Sequence, residues 1–368
     1  MKDYKIGAVI VAAGLSSRMK NFKPLMPIGN KKMIETTIRN YQSIGVDEII
    51  VVTGFRANDI EKQLKREDIK FARNNNYADN HMFDSVCIGL KQIADLVDYA
   101  FITPVDSPFV QKYTLEKMLN EIAKKEINIT RPYFEGKNGH PILAGGKAIK
   151  VILEHDGKEG LRGAIAKMES YHKSVPVIDP GIVMDADTTY DYLKLLEYEE
   201  NRRCPSVEIC KKIQEYFNVP DKVIRHSGKV AEVASNICQY LWDEKGVRLN
   251  KKIIIAASLL HDIAKGRKKH EKIGAKWLQD MGYSEVSKIV AEHMNLLNVP
   301  EIPTEKEVVY LADKMVKGDS LVSIDERFSY KEELYKNDRN LLEVVKNRKK
   351  QAFTVYDLVY GDKMTNIS

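Results

Sequence analysis

The chain is short of cysteine, of long apolar runs and of any dominant charge sign, and each shortage narrows what it can be. Four cysteines occur in 368 residues (Cys87, Cys204, Cys210, Cys238), none of them in a C-x-x-C pair. That spacing argues against a thiolate zinc site and against a disulfide framework. No apolar run approaches the roughly 18 residues that cross a bilayer, so no membrane partner is expected. The apolar N-terminal segment runs into a Gly/Ser turn and not into a small-residue cleavage site, so it reads as a strand and not as a signal peptide; a cytoplasmic location is the expectation. Residues 1–200 hold 28 basic and 28 acidic side chains, so the net charge of +6 lies wholly in residues 201–368. Such a surplus suits anionic ligands. Lys and Glu are interleaved on helical stretches, which marks a solvated face, and nucleic acid is not an expected partner. A chain of this length is too long for one ordinary core, and two domains are expected, over 1–203 and 206–368.

The first positive feature is the apolar run Ile6 to Val11, which has the pattern of a buried strand and empties into AAGLSSRMKNFK, Ala12 to Lys23. A strand opening into a Gly/Ser turn exposes successive backbone N–H groups, and Arg18 and Lys23 add two cations for a polyphosphate. A helical stretch, Lys32 to Ile44, and a second buried-type strand, Glu48 to Thr53, follow in β–α–β alternation. Phe71 to Asn74 reads as a short strand and Tyr99 to Val105 as another, with Asp106 at its carboxyl end. Ligands of open parallel sheets bind at that end, and a carboxylate there suits Mg²⁺, which prefers oxygen ligands and bridges phosphates.

The run A-A-G-L-S-S-R-M-K-N-F-K resembles the signature of the MobA-like nucleotidyltransferases, with Lys20 standing where glycine is usual. Ala13, the second residue of the A-A/G-G pair, resembles the molybdenum cofactor cytidylyltransferase branch. Further matches follow in order: Met82 and Ser85 within Asn74 to Leu90, Asp106-Ser107-Pro108 for D-x-P, Arg131-Pro132 with GKNGHPIL (Gly136 to Leu143), GKEGLRGAI (Gly157 to Ile165), and VMDADTTYDY (Val183 to Tyr192). The resemblance implies a Rossmann-like α/β domain with a mostly parallel sheet, which transfers a nucleoside monophosphate from an NTP to a phosphorylated acceptor. CTP is the favoured donor, GTP the second, and molybdopterin the acceptor suggested, with a molybdenum enzyme as a further partner. It places Ala12, Ala13, Gly14, Ser16, Arg18, Lys23, Ser85 and Asp106 at the nucleotide, Arg18, Lys23 and Asp106 in catalysis, and Mg²⁺ on Asp106 and Asp187, with Asp185 as the runner-up for the second position. In-line attack on the α-phosphorus needs positioning and charge neutralisation and no nucleophilic side chain.

From ENRRCPS, Glu200 to Ser206, β patterning disappears and the remainder reads as helices only, Thr188 or Thr189 capping the helix before the boundary and Ser206 the one after it. Polar residues interrupt apolar helix faces at His226, His270, His293 and Asp313, and His261-Asp262 interrupt an apolar helix expected over Ile253 to Ala264. Burying such groups singly costs a few kcal/mol each, and one shared cation would relieve them all. This set resembles the H…HD…D pattern of HD domain phosphohydrolases, with ASLLHDIAKG, Ala257 to Gly266, as its hallmark. The resemblance implies an all-α domain in which His226, His261, Asp262 and Asp313 hold a divalent metal, His270 and His293 completing a second one. Fe, Mn, Ni and Zn all suit N/O ligands of this kind. Lys265, one turn after His261, is the catalytic candidate. Arg267, Lys268 and Lys269 read as a solvated loop, and residues from about Ser329 onward as helices without chemistry. The alternative is a sugar-phosphate or other small-molecule nucleotidyltransferase with a non-catalytic, metal-stabilised HD module that senses or regulates. The tRNA-processing nucleotidyltransferases are set aside, because their G-S-x(n)-D-x-D motif is missing near the N-terminus.

Overall fold

The computed structural model describes residues 4–19, 21–79, 81–124 and 127–361; Lys20, singled out above, lies outside them. The chain divides into two compact units, Met1–Glu200 and Asn201–Ser368.

The first unit is built on a sheet whose long strands run in the order His172–Pro176, Ile129–Phe134, Ile142–Gly145, Tyr99–Pro104, Ile6–Ala12, Glu48–Thr53, Lys70–Arg73. Ile142–Gly145 runs antiparallel to both its neighbours, and the other adjacent pairs are parallel. The short Lys137–Asn138 strand pairs antiparallel with Ile129–Phe134. Ile6–Ala12 is central and buried along its whole length, as its unbroken apolar sequence requires of a parallel strand covered on both faces. Alternating side chains separate the two faces: Ala100 and Ile102 join the cluster of Val9, Val52, Val86 and Leu90, while Phe101 meets Tyr41 of helix Met33–Gln42 on the other side.

The strands Ile129–Phe134 and His172–Pro176 escape the sequence patterns because Pro132, His172, Lys173 and Pro176 break the apolar alternation. Proline is tolerated at sheet margins, and His172–Pro176 is an edge strand. Helix Met82–Lys91 crosses the central strands at Gly89, where a Cβ would stand 2.4 Å from Val9 and 2.8 Å from Val52. Only glycine permits that approach, which brings the helix start close to the end of the first strand.

The second unit is helical. Its helices are Val207–Tyr216, Asp221–Lys245, Lys251–Leu260, His270–Asp280, Ser284–Glu292, Glu305–Lys314, Ile324–Leu334 and Arg339–Tyr360. Caps define their starts: Ser206 Oγ accepts from Ile209 N (3.2 Å), Asn250 Oδ1 from Ile253 N (3.3 Å) and Asp338 Oδ1 from Leu341 N (3.0 Å), each satisfying an otherwise orphaned donor. Two details differ from the sequence reading. The helix expected over Ile253 to Ala264 is Lys251–Leu260, and a turn follows it. Neighbouring helical positions point about 100° apart, and leaving the helix here frees His261 and Asp262 to face one centre. A small antiparallel hairpin, Val316–Lys317 with Ser320–Leu321, also interrupts the helices. Strands of two residues carry no periodicity, so only the two-residue Gly318-Asp319 turn could have marked it.

Candidate functional site

In the first unit the chain leaves the central strand at Ala13 and turns back on itself at Ser16. Ser16 takes a left-handed φ of +54°, its carbonyl accepts from Met19 N (2.9 Å) and its hydroxyl from Lys23 N (3.2 Å). Ala13 is buried and its carbonyl accepts from Phe55 N (3.1 Å). The chain passes there because residue 54 is glycine, where a Cβ would come within 2.7 Å of both the Ala13 oxygen and the Tyr77 Cβ.

A cleft of about 290 Å³ opens at the carboxyl end of the sheet. Ala12, Ala13, Gly14, Ser16, Arg18, Lys23, Ser85 and Asp106 all line it, joined by Tyr77, His81 and Met82. The last two open helix Met82–Lys91, whose N-terminus faces the cleft and favours negative charge. The Ser85 hydroxyl is already engaged, accepting from Asn74 Nδ2 at 3.0 Å.

The charged centre is compact. Lys23 Nζ donates to Asp106 Oδ2 (2.8 Å) and to Asp187 Oδ1 (2.9 Å), and Arg18 Nη1 donates to Asp187 Oδ2 (2.6 Å). Burial disfavours the Lys23 ammonium, but the hydrogen bonds and charges of Asp106 and Asp187 outweigh it and hold its pKa above the ordinary lysine value. Asp187 is held below the usual carboxylate range, first by the Lys23 hydrogen bond. Asp185 is pushed up by burial and by the charges of Asp106, Asp187 and Asp191. Asp106 caps no helix, since the next one, Lys112–Ile122, starts behind Gln111. Two carboxylates drawn onto one ammonium form an all-oxygen cradle of the kind a hard cation takes.

Around His140, on which both Asp106 and Arg131 act, residues far apart in sequence meet. Arg131 Nε, His140 Nδ1 and His172 Nε2 are buried without hydrogen-bond partners among the described residues. Burial and the neighbouring Arg162 charge lower the Arg131 pKa. Burial and Arg131 bring His140 to about 4, with Asp106 acting in the other direction. The sequence motifs contain Arg131 and His140 but not His172, and they do not show the convergence.

In the second unit six side chains converge. His226 Nδ1 pairs with the Gly318 carbonyl (2.8 Å), His261 Nδ1 with that of Ser258 (2.7 Å) and His293 Nδ1 with that of Val290 (2.7 Å). A carbonyl can only accept, so each Nδ1 carries a proton and Nε2 is the ring nitrogen left for a metal. The Gly318 contact explains the hairpin, which orients His226. Asp262 is the hub. Its Oδ2 lies 3.4 Å from His261 Nε2, and its Oδ1 lies 3.1 Å from His270 Nε2 and 3.5 Å from His293 Nε2. The Nε2 atoms of His261, His270 and His293 and the Oδ1 of Asp262 are buried without hydrogen-bond partners among the described residues.

Two metal-sized triads result, His226–His261–Asp262 and Asp262–His270–His293, sharing Asp262. Asp313 Oδ1 stands 3.1 Å from His226 Nε2, and its Oδ2 accepts from Lys314 Nζ at 2.6 Å. Burial opposes ionisation of Asp262 and Asp313, yet His261 beside the first and Lys314 beside the second hold both far below the usual range. Burial keeps the His293 pKa low, which suits a neutral ligand. A cluster of Nε2 atoms and ionised carboxylates, left unpaired at a cost of about 1–3 kcal/mol per group, fits a divalent metal set. Lys265, the catalytic candidate, donates to Asp262 Oδ2 at 2.8 Å. Arg267 lies over the Trp277 ring, 5.0 Å from its centroid, and so is packed rather than loose. Lys314, fully buried next to Asp313, went unnoticed in the sequence, where its only signal is the adjacency Asp-Lys.

Residues 8–173 match the family model described as MobA-like NTP transferase domain, and residues 223–317 the one described as HD domain. The chain is 27% identical over 193 residues to the molybdenum cofactor cytidylyltransferase of Escherichia coli (strain K12), covering 52% of this chain and 96% of that protein. It is 30% identical over 133 residues to a probable molybdenum cofactor guanylyltransferase of Natranaerobius thermophilus, covering 36% of this chain and 62% of that protein. Among solved structures, a nucleotidyl transferase from Methanothermobacter thermautotroptrophicus aligns with a TM-score of 0.48 at 25% identity, covering 54% of this chain and 99% of that one.

Proposed function

We propose that this chain, which carries a MobA-like NTP transferase domain followed by an HD domain, is a bifunctional enzyme with a transferase in 1–203 and a phosphohydrolase in 206–368. The transferase moves a nucleoside monophosphate, CMP from CTP in the first instance, to a phosphorylated acceptor for which molybdopterin is the first candidate. The observation that carries this reading is the Lys23 ammonium held between Asp106 and Asp187 at the mouth of the cleft. Asp106 and Asp187 would hold Mg²⁺, which when bound neutralises and orients phosphate oxygens. The loop amides and the start of helix Met82–Lys91 cradle the triphosphate, and Arg18, with its side chain 71% exposed, has room to turn toward it. Arg131, half-buried and without an acidic partner among the described residues, supports a second phosphate near Asp106, that of the acceptor. The choice of cytosine draws on Ala13 and on the likeness to a cytidylyltransferase.

In the HD domain, His226, His261, Asp262, His270, His293 and Asp313 would hold one or two ions of Fe, Mn, Ni or Zn, whose contribution is to lower the pKa of water and shield phosphate charge. The backbone carbonyls at Ser258, Val290 and Gly318 aim the imidazoles for that task.

Melting of the full chain with Mg²⁺ and each NTP tests the base assignment. Ligand at a hundredfold excess over Kd stabilises by about 2.7 kcal/mol. CTP should raise the melting temperature more than GTP at equal concentration, and the opposite order would reject cytosine.

A further inference from the structure

The helical unit contains cations that this reading does not use. Arg327 Nη2 stands 4.0 Å from Asp313 Oδ1, outside hydrogen-bond range, and this is its one ion pair among the described residues. Lys331 follows one turn later on Ile324–Leu334, so both side chains lie on the same helix face, half-buried, and Lys331 makes no ion pair among the described residues. Arg348, on Arg339–Tyr360, donates to Asn295 Oδ1 at 2.7 Å, two residues past His293. Burial and the charges of Arg327 and Lys314 press the Lys331 amine below its ordinary value against the opposing charge of Asp313, with Arg348 adding to the lowering. Lys314 is committed to Asp313 and to the His293 carbonyl (2.9 Å). Lys314 and Arg327 thus flank Asp313, and the charges of Lys331 and Arg348 act on the same cluster.

Like charges half out of water repel more strongly than at the surface, and an anion relieves them. On the Asp262 side of the cluster Lys265 is bound to Asp262 and Arg267 is stacked on Trp277. The open positive charge lies on the Asp313 side, just beyond the triads. A lone phosphate group on the metals would leave it uncompensated, whereas a chain of linked phosphates would extend across it.

We infer that Arg327 and Lys331, backed by Arg348, form an anion subsite for the non-scissile phosphate of a ligand carrying two or more linked phosphate groups. This names the substrate class of the hydrolytic site and rests on that reading. Inorganic diphosphate, the leaving group of nucleotidyl transfer, is the smallest ligand of the class.

The test is calorimetric titration of the Mn²⁺-loaded full chain with inorganic diphosphate and with inorganic phosphate, comparing wild type with Arg327→Gln, Lys331→Gln and Arg327→Lys. The N-terminal unit contributes the same background in each protein. Losing one charge-assisted contact should weaken diphosphate binding about tenfold in each Gln variant, with phosphate affinity and Mn²⁺ content unchanged and Arg327→Lys close to wild type. Equal diphosphate affinity in wild type and both Gln variants overturns the subsite. Loss of Mn²⁺ along with diphosphate does so too, since Arg327 would then merely support Asp313. Phosphate release by the wild type is scored separately: a binding defect in the variants without turnover in the wild type keeps the subsite and removes the phosphohydrolase reading, and turnover with unaltered binding does the reverse.

Discussion

Lys23 makes three contacts that decide how the first site behaves at the level of single residues. Its backbone amide anchors the loop through Ser16, and its ammonium joins Asp106, 83 positions later, to Asp187, 164 positions later. With both side chains largely buried, 12% and 15% exposed, the Lys23–Asp106 pair is poorly screened. Removing one partner leaves the other charge without compensation. Replacing Asp106 by Ala should therefore lower pyrophosphate release about 100-fold or more, while leaving the metal content of the helical unit untouched. A variant that still turns over near the wild-type rate would take Asp106 out of the reaction.

At the scale of elements, the segment that delivers Asp185 and Asp187 is held by one buried carboxylate. Asp179 accepts from Gln111 N (2.8 Å) and Thr114 Oγ1 (2.7 Å) at the start of helix Lys112–Ile122, and from Gly181 N (3.1 Å) in its own turn. Asp179→Ala leaves three donors unmatched at about 1–3 kcal/mol each, less whatever water recovers. The expected result is a melting temperature several degrees lower and weaker nucleotide binding. Burial raises the Asp179 carboxyl to about 6 against its three hydrogen bonds, so the native state takes up a proton more readily than the unfolded chain does. That contribution is complete below the unfolded value of about 3.8 and is lost as pH rises through about 6. The stability gap between wild type and variant should accordingly narrow from pH 5 to pH 8 in denaturant titrations, and a gap that widens would contradict the assignment.

On the scale of the whole molecule, each unit holds a complete constellation of its own, so the two should fail independently. His261→Ala should lose bound metal and phosphate-ester hydrolysis and leave nucleotidyl transfer within about twofold, because the two sites belong to different units and share no side chains, and independent sites act additively. Chelation, followed by removal of the chelator and resupply of Mg²⁺, should deplete the tightly held metal by elemental analysis and abolish hydrolysis alone. Coupled loss of both activities in His261→Ala would show that the units do not work separately. Much of this was legible in the chain alone. The strand Ile6–Ala12, the loop carrying Arg18 and Lys23, the carboxylate at the end of Tyr99–Pro104 and the His261-Asp262 pair are local features, written in neighbouring residues whose patterning and turn chemistry act over a few positions. The helix faces bearing His226, His293 and Asp313 were visible too, because periodicity reports which side of a helix is buried. It does not report what that side is buried against. That Lys23 bridges Asp106 and Asp187, that a glycine hairpin aims His226, that the helix stops at Leu260, and that Arg131 and Asp106 both act on His140 were decided by tertiary packing. So was the placing of Arg327 and Lys331 beside Asp313, since charged residues on an amphipathic helix look alike in sequence whether they meet water or a site.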